Sequence, residues 1–100
     1  MTKVYFMEDN YKVELDRVKE LIYIDVEGEI AAEMNIIIDG SDRIIIEHTL
    51  VSPKYNGRGF GKLMVAKAVE YARQNGIKIT PHCEYAKSVF DKTPDYKDVL

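Results

Sequence analysis

The residues best placed by type and spacing to do chemistry lie in two stretches of the second half of the chain. The first is Val51-Ser52-Pro53-Lys54-Tyr55-Asn56-Gly57-Arg58-Gly59-Phe60-Gly61-Lys62-Leu63. It sets three glycines at alternate positions with basic residues among them. Glycine reaches φ > 0 and lets a ligand approach without a Cβ in the way. A helical pattern follows at once, and a helix start points unpaired N–H groups and a positive dipole end at whatever precedes it. Such a loop is a cradle for phosphate or pyrophosphate. The second stretch is Pro81-His82-Cys83-Glu84-Tyr85. Cys83 opens another helical pattern, where the thiolate that acts as a nucleophile is favoured. The competing reading is that Cys83 is a small buried residue.

The elements that must position these stretches follow from periodicity. Leu21–Val26 is rich in β-branched and aromatic residues, and Glu27-Gly28 reads as a hairpin turn. Ile30–Ile38 is a second strand, Asp39-Gly40 a second turn, and Arg43–Val51 a third strand ending before Pro53. These three strands are expected to form an antiparallel meander, with strand 21–26 as an exposed edge that permits dimerisation. Over Lys62–Gln74, residues Met64, Val65, Ala68, Val69, Tyr71 and Ala72 share one arc at 100° per residue. Leu63 falls on the polar arc and is expected to pack near the loop. Phe60 and Tyr71 read as core. Asn75-Gly76 is a stop signal. Ile77–Thr80 is a short strand ended by Pro81, expected to lie parallel to strand 43–51 through a right-handed crossover. A second helix runs from about Glu84 to Asp91, and Thr93-Pro94-Asp95 turns the chain into its tail. Residues 1–19 are least legible. Glu8-Asp9-Asn10 looks like a turn, and Tyr11–Val18 fits a strand or a short helix. The fold class is α+β, a β-meander followed by β-α-β-α, and residues 1–100 form a single domain.

Composition narrows the function classes. Apolar residues make up 46% of the chain and charged residues 31%, enough for a core in one domain of 100 residues. The longest apolar runs are four residues, such as Leu21-Ile22-Tyr23-Ile24, too short for a membrane-spanning helix. Residues Met1 to Asn10 carry no secretory pattern, and the lone Cys83 forms no internal disulfide, so a cytoplasmic location is expected. Residues 1–50 carry 5 basic and 12 acidic side chains, and residues 51–100 carry 9 and 5. The positive half holds the glycine loop. Its basic residues are spread out and not interleaved with aromatics, so a small polyanion fits better than nucleic acid.

Spacing separates the common phosphate loops. A P-loop needs G-x-x-x-x-G-K-[ST], but here Leu63 follows Gly61-Lys62 and Asn56 stands five positions before Gly61. A dinucleotide fingerprint needs G-x-G-x-x-G after a first parallel strand, whereas this loop is G-x-G-x-G after a meander. Asn56-Gly57-Arg58-Gly59-Phe60-Gly61 instead resembles the acyl-CoA loop of the GNAT superfamily of N-acetyltransferases, a Gln or Arg, two residues, Gly, one residue, then Gly or Ala. Leu50-Val51-Ser52-Pro53 is similar to the end of the fourth GNAT strand. Glu47-His48-Thr49-Leu50-Val51, Pro81-His82-Cys83-Glu84-Tyr85 and the Thr93-Pro94-Asp95-Tyr96 tail resemble a small branch of about 95 residues lacking the first two GNAT helices. The resemblance covers roughly residues 20–100.

What this implies is acetyl-CoA as co-substrate and no metal. Backbone groups near Leu50 and Val51 would bond the pantetheine arm. The amides of Gly57, Arg58, Gly59, Phe60, Gly61 and Lys62 would hold the pyrophosphate. Arg58 and Lys62 would add charge, with Lys54 nearer the 3′-phosphate. Asn56 departs from the Gln/Arg position and adds no charge. The superfamily's Asn-x-x-Ala-x-x-x-Tyr pattern reads here as Cys83-Glu84-Tyr85-Ala86-Lys87-Ser88-Val89-Phe90. Cysteine replaces asparagine, and phenylalanine replaces the tyrosine that serves as general acid. Tyr85 and Tyr96 are the available substitutes. A Cys83 thiolate near acetyl-CoA could accept the acetyl group and pass it on. Glu47 and His48 alternate to opposite faces, so one of them faces the acceptor as a candidate base, against a structural role for each.

The expected function is therefore acetyl transfer to an unknown amine, through Cys83 or directly. The alternatives are a CoA or acyl-CoA binding module with little catalysis and, further off, a nucleic-acid or protein interaction domain. The acidic excess of the first half suits a cationic acceptor. No membrane or nucleic-acid partner is expected, and the chain is expected to be a monomer or weak homodimer.

Overall fold

Tyr11, Val13 and Leu15 alternate with Lys12, Glu14 and Asp16, a period-two pattern that builds a half-buried strand. In the computed structural model, which describes residues 10–40 and 42–100, these six residues are strand β1 (Tyr11–Asp16). They resolve the strand-or-helix ambiguity of Tyr11–Val18. Strand β2 (Leu21–Val26), β3 (Glu29–Asp39) and β4 (Arg43–Val51) follow, then helix α1 (Phe60–Asn75), strand β5 (Lys78–Pro81) and helix α2 (Glu84–Lys92). Short 3-10 turns cover Pro53–Tyr55 and Pro94–Val99. The tail that follows the turn expected at Thr93-Pro94-Asp95 is thus helical. Of the turn expected at Glu8-Asp9-Asn10, only Asn10 lies within the described residues.

The sheet order is β1-β2-β3-β4-β5. The first three pairings are antiparallel, and β4 with β5 is parallel, Arg43 opposite Lys78 through Ile46 opposite Pro81. Strand β2 is therefore not an edge. β1 pairs along its whole length, Tyr11 with Val26 through Asp16 with Leu21, which corrects the expected exposed edge at 21–26. The meander has four strands instead of three, and its outer edge carries the alternating charges of β1. Glu27 and Gly28 both have positive φ (51° and 91°), the twist that a two-residue hairpin needs.

One face of this sheet makes the core. Ile22, Ile24, Ala32, Met34, Ile36, Ile44, Ile46 and Ile79 pack against Met64, Val65, Ala68, Val69 and Ala72 of α1 and Ala86, Val89 and Phe90 of α2. Helix α1 contacts all five strands, and α2 contacts β4 and β5. The apolar arc expected on α1 is the one that is buried. Leu63 also packs half-buried against the core, and Tyr71 does the same. The helix begins two residues earlier than its periodicity showed, because Gly59 at φ 79° turns the chain and its carbonyl accepts the first helical bond, from the Leu63 N–H at 3.1 Å. Gly76 ends it at φ 65°.

The C-terminal turn is clasped to α1. Arg73 Nε and Nη2 donate to the two Asp98 oxygens at 2.9 and 2.7 Å, and Nη2 also reaches the Asp95 carbonyl at 2.7 Å. Lys78 Nζ donates to the Asp98 carbonyl at 2.7 Å, and Tyr96 packs edge-on against Phe90. The bonds from Arg73 hold the Asp98 carboxyl below the ordinary aspartate value of 3.8. A carboxyl depressed by folding stabilises above its unfolded value, and that contribution is lost as pH falls. Arg73→Ala is expected to lower the melting temperature at neutral pH. The gap between variant and wild type should close well below pH 3.8 in a thermal denaturation series. An unchanged gap across that series would mean that the pair adds packing and no charge term.

Candidate active site

The site is built where β4 and β5 part. Their ladder stops at Ile46 and Pro81, and the Ile46 carbonyl accepts both the His82 N–H at 2.9 Å and the Cys83 N–H at 3.2 Å. Beyond that point β4 runs on to Val51 with no partner on this side among the described residues. The Ser52 N–H donates to the Ala31 carbonyl at 2.9 Å, so Ser52 faces β3. Backbone groups alternate in direction along a strand. Leu50 therefore also faces β3, while Thr49 and Val51 turn their N–H and C=O groups to the open side. Of the expected pair Leu50 and Val51, Val51 is on the open edge, joined there by Thr49.

The glycine loop is held at both ends by aromatic residues. Tyr55 is buried and stacks on Phe60 at 5.9 Å, and Phe60 meets Tyr11 at 5.4 Å. Between these anchors Asn56, Gly57, Arg58 and Gly59 stand exposed. Gly57 and Gly59 have φ of 81° and 79°, a conformation that side chains rarely adopt, and nothing lies within 4 Å of where a Cβ would project. The loop is left-handed and open, as a cradle requires. Phe60, Gly61 and Lys62 form the first turn of α1, ahead of the first helical bond. Their N–H groups are free to face a ligand. That turn holds no acidic residue, while Arg58 precedes it and Lys62 lies within it. Bases at a helix N-terminus oppose the dipole, so this arrangement suits a bound anion better than it suits the helix alone.

A groove of about 360 Å³ joins these parts, lined by Thr49, Val51, Tyr55, Asn56, Gly57, Gly59, Phe60, Gly61 and Tyr85. Arg58 lies over the Tyr55 ring at 5.2 Å. Lys54 is turned away to Glu29, whose Oε1 accepts Lys54 Nζ at 3.0 Å and the Tyr55 hydroxyl at 2.8 Å. Those two bonds lower the Glu29 carboxyl pKa, and the bond to Glu29 raises that of Lys54.

Gly61 differs from the other two glycines. A Cβ built there would lie 2.6 Å from the Tyr85 hydroxyl and 2.7 Å from its ring, so glycine here makes room for a side chain of α2. Burial, and then the neighbouring Cys83, push the Tyr85 phenol above its usual value. Tyr85 is thus a protonated hydroxyl in the groove. Tyr96 packs instead on Phe90 and Arg73, and Phe90 is a core residue.

Cys83 is the N-cap of α2, half-buried, with Sγ 3.3 Å from Thr49 Oγ1. His82 turns the other way, with Nδ1 3.5 Å from Glu47 Oε2. Simple alternation does not hold at Glu47. Asn35 pairs with His48 and Ile36 with Ile46, so Glu47 is an extra, bulged residue that reaches toward β5. His48 is exposed on the sheet face that carries no helix. The structure therefore brings Cys83, Thr49 and Tyr85 together on the groove side and Glu47 and His82 together at the bulge. Thr49 and His82 were not among the expected site residues, whereas Tyr85 was named as a substitute for the missing general acid. Alternation from Val51 pointed to Thr49, and adjacency to Cys83 pointed to His82. Among the described residues no His, Cys, Asp and Glu side chains converge as metal ligands, and no helix is long and apolar enough to cross a membrane.

Comparison with known proteins agrees with this geometry. Residues 21–99 match the family of GCN5-related N-acetyl-transferases. No curated protein sequence matches the chain at a significant level. Among solved structures the chain is similar to a GCN5-like candidate N-acetyltransferase from Staphylococcus aureus, with 34% identity and a TM-score of 0.71 over 90% of this chain and 87% of that one. It shares the fold of N-acetylglutamate synthase from Neisseria gonorrhoeae, solved with coenzyme A and N-acetyl-glutamate (18% identity, TM-score 0.56, 81% of this chain and 18% of that one). It also shares the fold of the ribosomal-protein-S18-alanine N-acetyltransferase of Escherichia coli (12% identity, TM-score 0.61, 84% of this chain and 52% of that one). An open strand edge leading into an anion cradle fits a thiol-tipped, pyrophosphate-bearing co-substrate. The chain belongs to the GCN5-related N-acetyltransferase family, the GNAT enzymes that use acetyl-CoA as co-substrate.

Proposed function

We propose that the chain moves an acetyl group from acetyl-CoA to an amine by way of Cys83. The observation that carries this is the place of Sγ, 3.3 Å from the hydroxyl of Thr49, a residue that itself lines the cofactor groove. Acetyl-CoA supplies an acetyl group activated as a thioester. In this reading the amides of Phe60, Gly61 and Lys62 and the loop from Asn56 to Gly59 hold the pyrophosphate, with charge from Arg58 and Lys62. Val51 and Thr49 give backbone partners to the pantetheine arm.

The chemistry then has two balanced halves. Cys83 Sγ forms a C–S bond to the acetyl carbon as the thioester C–S bond breaks, and the thiol proton ends on the released thiol, with the Tyr85 and Thr49 hydroxyls as the groups able to relay it. The acceptor nitrogen next forms the amide bond as the Cys83 S–C bond breaks, and the proton from nitrogen returns to Cys83 sulfur. An acceptor arriving as ammonium must lose one more proton. The Glu47–His82 pair is the base at that point, with His48 beside it on the open face. A thiol used in this way must stay reduced, which suits the cytoplasm. The acceptor is a small-molecule or peptide amine, and the working unit is a monomer or weak dimer.

A second reading, a CoA-binding module with little turnover, is favoured by one observation: the helix position expected to hold a catalytic tyrosine is the buried Phe90. Mass spectrometry after incubation with acetyl-CoA separates the two. Wild type is expected to gain one acetyl group on Cys83. Cys83→Ala should keep its thermal shift with CoA and lose transfer by on the order of a hundredfold or more. Transfer at the wild-type rate in that variant would mean direct attack by the amine. Binding without turnover over a broad amine panel would favour the second reading.

The groove wall gives an independent test. Gly61→Ala forces Tyr85 out of place and should weaken CoA binding by roughly tenfold, about 1.4 kcal/mol. Removing the ring as well, in Gly61→Ala with Tyr85→Ala, should restore most of that loss in calorimetric titrations. A double variant as weak as the single one would show that the clash is not the cause.

A further inference from the structure

We propose that Glu29 is a built-in counter-anion of the cofactor site, which holds Lys54 in the free protein and so limits what the 3′-phosphate of CoA adds to binding. This rests on the reading of the glycine loop as the pyrophosphate cradle and adds a residue that tunes it. Glu29 stands outside that loop, at the start of β3. Its Oε1 accepts both Lys54 Nζ at 3.0 Å and the Tyr55 hydroxyl at 2.8 Å.

The backbone builds this contact. Val26 pairs with Glu29 across the Glu27-Gly28 turn, which fixes the head of β3. Ala32 pairs with Val51, and the Ala31 carbonyl accepts the Ser52 N–H at 2.9 Å, which fixes the chain two residues before Lys54. The 3-10 turn Pro53–Tyr55 then brings Lys54 and Tyr55 to Glu29. Tyr55 is buried, so the hydroxyl that anchors the carboxylate is itself held. The bond from Lys54, and then that from Tyr55, keep the Glu29 carboxyl below its ordinary value, so it is ionised at neutral pH.

Its place decides what this carboxylate opposes. The cofactor groove runs from Thr49, beside Cys83, to Tyr55, Asn56 and Gly57. CoA with its thiol near Cys83 and its pyrophosphate on the loop sends its nucleotide end toward Tyr55. A second hollow of about 380 Å³ shares that residue and is lined by Val26, Glu27, Glu29, Lys54, Tyr55 and Arg58. The 3′-phosphate sits on the same ribose as the pyrophosphate and carries about two negative charges at neutral pH. The cations of the hollow are Arg58, 5.2 Å from the centre of the Tyr55 ring, and Lys54, 5.5 Å from it. Of the two carboxylates, Glu27 accepts the Asn10 side-chain amide at 3.0 Å, and Glu29 is the one on Lys54. A phosphate drawn to Lys54 therefore meets Glu29. Both side chains of that pair are more than half exposed, and such pairs are weak enough to exchange. The 3′-phosphate is not shut out, but it gains less than a free lysine would give.

Calorimetric titrations of the full chain with CoA and with dephospho-CoA test this, since the two differ only in the 3′-phosphate. Glu29→Gln keeps the shape and an acceptor for Tyr55 and removes the charge. It should tighten CoA by about fivefold, the scale of one exposed ion pair, and move dephospho-CoA by less than about twofold. The gain should fade in about 1 M salt, where charges are screened within ~3 Å. Adding Lys54→Ala to Glu29→Gln should erase it. Glu27→Gln takes one charge from the same hollow and should give little of it. An equal gain for both forms, the same gain from Glu27→Gln, or a gain that persists in high salt would overturn the inference. So would weaker CoA binding by Glu29→Gln, which would mean that Glu29 orients Lys54 for the phosphate. Amide shifts at Gly57 and Gly59 separate this from the cradle. Dephospho-CoA that leaves them unmoved refutes the cradle and the inference together. Shifted amides with equal CoA affinity in wild type and Glu29→Gln keep the cradle and refute the inference.

Discussion

One carbonyl organises this protein. Ile46 accepts two N–H groups at the end of β5, those of His82 and Cys83, and so closes the parallel ladder. Pro81 stands at the last pair, and a proline has no N–H with which to carry a ladder further. Backbone groups must still find partners. On β5 they are satisfied at once by Ile46 and by the start of α2. On β4 the next open-side groups, at Thr49 and Val51, are left to the groove. The same event that ends a strand pairing therefore leaves an open strand edge and places Cys83 at the head of a helix beside it.

The glycine loop follows a similar economy. Its two anchors, Tyr55 and Phe60, belong to the core, so the exposed segment between them is short and its ends are fixed. The αL conformations at Gly57 and Gly59 set the path of the backbone, and the first turn of α1 supplies unpaired donors. Arg58 and Lys62 near a helix N-terminus are mildly unfavourable for the free protein. An anion at that terminus would offset this electrostatic cost, which is already in the fold.

Strands β2, β3 and β4 were legible because β-branched runs end in hairpin signals, and α1 because its apolar arc is continuous. The positive-φ loop ahead of α1 was legible because left-handed glycine and a helix start are local properties. What escaped was set by partners distant in sequence. Strand β1 is only six residues of mixed charge, and its alternation gains meaning only when β2 lies beside it. The bulge at Glu47 depends on the register between β3 and β4, so alternation alone gave the wrong geometry for Glu47. Gly61 was read with the loop, but it lies in the first turn of α1 and makes room for the Tyr85 ring from α2, which no local spacing shows.

One face of the sheet carries no helix among the described residues, and that has an evolutionary meaning. Residues such as Glu33, Asn35, His48 and Leu50 share their strands with the core but contribute no volume to it. Neighbouring positions on the same strands are held by packing in the core, while these point away from it. Drift at such positions costs little in folding, so one scaffold can carry different surfaces through substitutions spaced two residues apart.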